Sequence, residues 1–131
     1  MVVNVGIVGS RRRNTKEDKL WVKLALEHLI TIYGRENIII VSGGCPTGAD
    51  KFAEDLQKEL GLPKPIIYYP DKSQLKSQAR YEWRKICYAR NTLIAQDADI
   101  LLACVAPDRK GGTEDTIKKY KAFGKDKLIL I

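Results

Sequence analysis

The chain has 131 residues, 44% apolar and 30% charged, which suits one globular domain over residues 1–131 and excludes a disordered chain or two independent cores. No apolar run approaches the roughly 20 residues of a membrane span, and Met1–Val8 lacks the basic leader of a signal peptide, so a cytoplasmic protein with no membrane association is expected. A net charge of +7 and a pI near 9.4 point to an anionic partner, although lysine-rich surfaces are also a feature of heat-adapted proteins.

Five short apolar runs rich in β-branched residues mark the strands: Val2–Val8, Ile38–Ser42, Ile66–Tyr69, Asp99–Cys104 and Lys127–Ile131. They are apolar throughout rather than alternating, as in strands covered on both faces. The segments between them have helical periodicity. The first helix opens at Thr15 with Asp18 three residues on, a capping-box spacing. It sets Val22, Ala25, Leu26, Leu29 and Tyr33 on one face and stops at Gly34. The second is expected to be capped by Thr47 with Asp50, to bury Ala49, Phe52, Ala53, Leu56 and Leu60, and to end at Gly61. The third runs from about Ala79 to Ala95 with Ile86, Ala89, Leu93 and Trp83 turned inward. The fourth starts near Thr113 and carries Ile117 and Tyr120 to a stop at Gly124. Single helices between strands imply right-handed crossovers. The expected fold is a Rossmann-like, doubly wound α/β sheet of five parallel strands in the order 3-2-1-4-5. Pro70–Gln78 is the one irregular stretch of any length, a surface loop or a lid.

In such sheets ligands bind beyond the carboxyl ends of the strands, so the loops there carry the chemistry. They read Gly9-Ser10-Arg11, then Ser42-Gly43-Gly44-Cys45-Pro46-Thr47-Gly48-Ala49-Asp50, then Lys110-Gly111-Gly112-Thr113. Glycine removes the side chain that would hold a ligand off the backbone, and each loop runs into a helix N-terminus whose open N–H groups favour an anion. Ser10, Ser42, Thr47 and Thr113 add hydroxyls, and Arg11 adds a bidentate donor. The spacing is neither the dinucleotide fingerprint nor a P-loop, which disfavours a standard NAD enzyme or kinase.

The combination of Gly9-Ser10-Arg11, Ser42-Gly43-Gly44 with Thr47-Gly48-Ala49-Asp50, Ala53-Glu54, Arg90-Asn91, and Gly111-Gly112-Thr113 with Thr116 resembles the SLOG superfamily, and within it the small YspA/YpsA-related branch. The resemblance covers nearly the whole chain and implies a sensor, carrier or weak processing enzyme whose ligand is a nucleotide or nucleotide derivative, held by Gly9, Ser10, Arg11, Ser42, Gly43, Gly44, Thr47, Gly48, Asp50, Arg90, Asn91, Gly111, Gly112 and Thr113. Two other branches suggest alternatives. The lonely-guy phosphoribohydrolases split a base from a nucleoside monophosphate with an arginine and a glutamate. Arg90 matches the first, but Thr116 stands where the glutamate belongs, leaving Glu114 and Asp115 nearby as catalytic candidates. DNA-processing protein A binds single-stranded DNA and shares the Gly-Ser-Arg turn, and the Arg11-Arg12-Arg13 cluster makes weak nucleic-acid binding an alternative. A homo-oligomer is the expected assembly.

Cys45, Cys87 and Cys104 are odd in number and far apart, and His28 is the only histidine, so no metal site or resident cofactor is expected and the thiols are read as reduced. Cys45 beside a helix start is a loop filler or an acidified thiol. Trp21 and Trp83 serve packing or base stacking, and Tyr68-Tyr69-Pro70 either ends a strand or meets a base.

Overall fold

The sheet is built from the centre outward. Its middle strand, β1 (Val3–Gly9), pairs in parallel with β2 (Ile38–Ser42) on one side and β4 (Ile100–Cys104) on the other, and β3 (Ile66–Ile67) and β5 (Leu128–Leu130) form the edges. The order is β3-β2-β1-β4-β5, as the alternation of strands and helices implies. The computed structural model describes residues 1–45, 47–75 and 80–131. The helices are α1 (Lys16–Tyr33), α2 (Ala49–Glu59), α3 (Arg80–Asp97) and α4 (Gly112–Ala122).

Alternate residues of each strand face opposite sides, so two cores form. Val3, Val5 and Ile7 of β1, Ile38 and Ile40 of β2, and Ile100, Leu102 and Cys104 of β4 pack under α1 and α2. Val8, Val41, Leu101 and Ala103 pack under α3 and α4 with Ile94, Ile117 and Tyr120. Tyr120 is fully buried, and its hydroxyl lies 2.7 Å from Asp99 O and 3.1 Å from Lys127 O, which meets the cost of burying it. Lys125 Nζ closes the end of α3 by donating to Ala95 O, Gln96 O and Ala98 O.

Several expected details shift. Thr15 and Asp18 do form a reciprocal capping box, but α2 is not capped by Thr47. Its N-cap is Gly48, with no side-chain hydrogen bond there, and the Asp50 carboxylate turns back to its own loop instead. The inward face of α3 is Ile86, Asn91, Ile94 and Ala95 rather than Ala89 and Leu93, which are exposed, because α3 packs against α4 as well as the sheet and its buried stripe rotates accordingly. Val2 is exposed and lies outside β1. β3 stops at Ile67; the Tyr68 N–H still donates to Ser42 O, while the Tyr68 hydroxyl bonds Asp97 and the Tyr69 ring lies over Gly44. In the irregular stretch, Lys72–Gln74 forms a 3-10 turn capped by Asp71. Positions 76–78 of that stretch, Ala79 at the expected start of α3, and Pro46 lie outside the described residues.

Candidate functional site: a cationic cleft at the carboxyl edge of the sheet

The register pairs Gly9 with Cys104, so β1 and β4 end level and their loops open side by side. Two glycines make the approach close. A Cβ on Gly9 would lie 2.6 Å from Ala49 Cβ and 2.8 Å from Cys104 Cβ, which holds the start of α2 directly against the ends of β1 and β4. A Cβ on Gly48 would lie 3.2 Å from Ser10 O, and Gly48 N–H donates to Asn14 Oδ1 at 2.9 Å, so the loops after β1 and β2 are tied together.

Between these loops, α3 and the start of α4 lies a cleft of about 660 Å³, large enough for a small organic ligand. Its walls carry five cationic residues, Arg11, Arg12, Arg84, Arg90 and Lys110, against one acidic side chain, Asp50. Asp50 is occupied by the protein: it lies 3.0 Å from Ser42 Oγ and accepts the Cys45 N–H at 3.0 Å. The cations are not equivalent. Arg12 pairs with Asp108 at 2.6 Å, an exposed contact that holds the Asp108 carboxyl below its ordinary range. Arg90 donates through Nη1 to Gly43 O and Tyr68 O and through Nε to Asn91 Oδ1. Arg11, Arg84 and Lys110 have no side-chain partner among the described residues, leaving them free for an anion.

Two helix starts face the same space. Thr47 and Asp50 stand at the start of α2, and Gly111, Gly112 and Thr113 at that of α4. Both N-caps are glycines in the left-handed region, Gly48 at φ 72° and Gly111 at φ 118°, and neither end is closed by a side chain. This contrasts with α1, whose capping box uses up its first donors. Apart from the Gly48 N–H, which Asn14 takes, and the Glu114 N–H, which Gly111 O takes, the first-turn N–H groups and the positive end of each helix dipole stay available to a negative ligand.

The fourth wall is α3, which presents Trp83, Arg84, Cys87, Tyr88 and Asn91. These recur at three- and four-residue steps, one face of a helix. Asn91 ties that wall to α4 by donating to Gly112 O and Asp115 Oδ2 at 3.3 Å each. Burial pushes the Cys87 thiol up despite the pull of Arg90 and Arg11, so it is not poised as a thiolate.

No family model and no curated protein matches the chain. Among solved structures, the molybdenum cofactor carrier protein of Chlamydomonas reinhardtii matches 99% of this chain and 76% of its own, with a TM-score of 0.59 and 17% sequence identity. The fold is Rossmann-like.

Of the residues singled out in the sequence, Gly9, Ser10, Arg11, Thr47, Asp50, Arg90, Asn91, Gly111, Gly112 and Thr113 line the one cleft. Ser42, Gly43, Gly44 and Gly48 stand behind its wall. Ser42 is fully buried, 3.2 Å from Ile7 O, and a Cβ on Gly43 would strike the Arg90 guanidinium. Glu114 and Asp115 do not line the cleft: Glu114 pairs with Arg109 at 2.8 Å, and Asp115 is taken by Lys119 at 2.8 Å and by the Asn91 amide. The basic run after β1 is divided among three tasks. Arg13 binds Asp18 at 2.7 Å and the carbonyls of Val105 and Ile131, a structural network that holds the Asp18 carboxyl below its ordinary range. Trp21 lies on α1 outside the cleft, while Tyr68 bonds Asp97 and Tyr69 covers Gly44. Arg84, Tyr88 and Lys110 were not among the sequence candidates. The Trp83–Arg84–Cys87–Tyr88–Asn91 spacing was the signal for the first two. Among the described residues no cluster could hold a metal ion, and no helix is long and apolar enough to cross a membrane.

Proposed function

We propose that the protein binds a nucleotide or nucleotide derivative, as a carrier or sensor of the SLOG type. The observation that carries this reading is the cleft itself, where two uncapped helix starts and three unpaired cations converge opposite two aromatic side chains. The anionic part of the ligand would sit against Ser10, Arg11 and the starts of α2 and α4, within reach of Arg84 and Lys110. A planar ring would lie along α3 against Trp83 and Tyr88. Asp50 and Arg90 shape the cleft rather than fill it. The fold shared with a cofactor carrier supports a carrier role. The cytoplasm is the compartment this reading fits.

Ligand binding is tested by thermal denaturation. Nucleoside phosphates should raise the melting temperature, since a ligand at a hundred times its Kd contributes about 2.7 kcal/mol. Arg11→Ala should remove most of that rise with the free protein's melting temperature unchanged, because Arg11 has no partner to lose. No rise with any nucleoside phosphate, or equal rises in wild type and variant, would overturn the assignment.

The hydrolase alternative lacks an unengaged carboxylate at the cleft, since Asp50, the one acidic side chain lining it, is held by Ser42 Oγ and the Cys45 N–H. Glu114 and Asp115 are held in ion pairs, and Thr116 is 1% exposed with its hydroxyl directed at Gly112 O. An N-glycosidase needs such a group for the developing positive charge or the attacking water. Incubation with nucleoside monophosphates is therefore expected to release no free base detectable by chromatography. Turnover near one per second that disappears in Glu114→Gln or Asp115→Asn would establish the enzyme instead. The single-stranded DNA alternative is weakened by the division of the Arg11–Arg13 run, which leaves one arginine of three at the cleft without a protein partner.

A further inference from the structure

The outer surface of α1 carries apolar side chains that no other part of the described chain covers. Leu20, Trp21, Leu24 and Ile32 are 52%, 59%, 48% and 56% exposed. With His28 they recur at three- and four-residue steps and form one stripe. This stripe is distinct from Val22, Leu26 and Leu29, which already supply the face buried on the sheet. It borders a groove of about 560 Å³ between α1 and the edge strand β5, lined by Trp21, Leu24 and His28 on one side and Ile129 and Leu130 on the other. Ile129 and Leu130 are 36% and 49% exposed, at an edge where a sheet is open to further association.

We propose that this face joins two copies of the chain, with α1 packed antiparallel on α1 of the second copy about a twofold axis near Leu24. Charge complementarity selects a second copy as the occupant. Lys23 and Glu27 lie one turn apart along the same rim of the stripe, and neither has an ion-pair partner among the described residues. In a self-complementary interface each contact occurs twice. Centred midway between these residues, the antiparallel pair sets Lys23 opposite Glu27 of the second copy and Glu27 opposite its Lys23. Sliding one helix by a turn in either direction sets Lys23 against Lys23 or Glu27 against Glu27, so the charges fix the register as well as the partner. Leu24 meets its own copy beside the axis, and Trp21 falls near His28 of the second copy, where its ring can close the groove against β5.

Light scattering on the eluting protein is the test, with a mass of twice the 14.8 kDa chain expected for the wild type. Leu24→Asp should elute at the mass of one chain with its circular dichroism unchanged. The charge swaps provide a test that does not depend on the fold of that variant. Lys23→Glu and Glu27→Lys should each weaken the dimer at least tenfold, and the double swap should restore it, because both pairs are then opposite again. A wild type of single-chain mass at every concentration, an assembly indifferent to Leu24→Asp, or a double swap as weak as the singles would each overturn the proposal.

Discussion

Gly9→Ala is expected to lower the melting temperature by roughly 5–10 °C, corresponding to about 1–3 kcal/mol of overpacking in a chain of this size. The added methyl would lie 2.6 Å from Ala49 Cβ, 2.8 Å from Cys104 Cβ and 3.0 Å from Cys104 O. None of these is the end of a flexible side chain. Ala49 is the first residue of α2 and Cys104 the last of β4, so relief requires the helix start to move off the sheet. The same movement would carry the open donors of α2 away from the loop after β1, and nucleotide-dependent stabilisation should fall with stability. A double-mutant cycle isolates the contact. Ala49→Gly should cost about 1 kcal/mol alone, yet it should recover part of the loss in the Gly9→Ala background. Purely additive effects would show that the crowding lies elsewhere.

The architecture was legible because it rests on patterns that few arrangements satisfy. Strands apolar on both faces must be covered on both faces, and single-helix crossovers of one hand leave few strand orders, of which β3-β2-β1-β4-β5 is one. The loops of the cleft were legible for a related reason: in this topology the residue after each strand necessarily lies at one edge. The buried face of α3 was not. Ala89 and Leu93 fit a helical stripe as well as Ile86 and Ile94 do, and choosing between them requires the position of α4, which no local pattern contains. The Asp50 assignment failed for a different reason. Thr47 with Asp50 has the spacing of a capping box, but Gly48 takes the left-handed conformation that starts the helix one residue later. The freed carboxylate then satisfies Ser42 and the Cys45 N–H. Composition also conceals how charge is spent. Arg11, Arg12 and Arg13 are one cluster in the sequence, yet only their separate partners reveal that Arg13 supports the fold, Arg12 an exposed pair, and Arg11 the cleft.

Arg90→Met is expected to cost about 2 kcal/mol of stability and to abolish nucleotide-dependent stabilisation, the combination that marks a supporting residue rather than a surface contact. The guanidinium reaches from α3 to Gly43 O after β2 and Tyr68 O after β3, while its Nε holds Asn91 Oδ1 at 3.0 Å. Hydrogen bonds from a charged donor are worth about 1.5–3 kcal/mol each in mutational series, and stranding a buried acceptor adds its desolvation. Part-burial and the entry of water into the truncated site reduce that sum. Methionine fills much of the same volume, so the loss reports the hydrogen bonds rather than a cavity. Without them the Gly43 carbonyl is released, and with it the loop that positions Thr47 and the start of α2. Asn91, which also bonds Gly112 O, loses the partner that sets its amide. Arg90→Lys should fall between wild type and Arg90→Met, because an ammonium can satisfy a carbonyl but cannot hold the two carbonyls and Asn91 in one plane. The contrast with Arg11→Ala is the decisive comparison: that variant should lose the ligand and keep its melting temperature, whereas Arg90→Met should lose both. Unchanged stability with lost binding in Arg90→Met would make Arg90 a direct ligand contact, and its hydrogen bonds to the loops incidental to the fold.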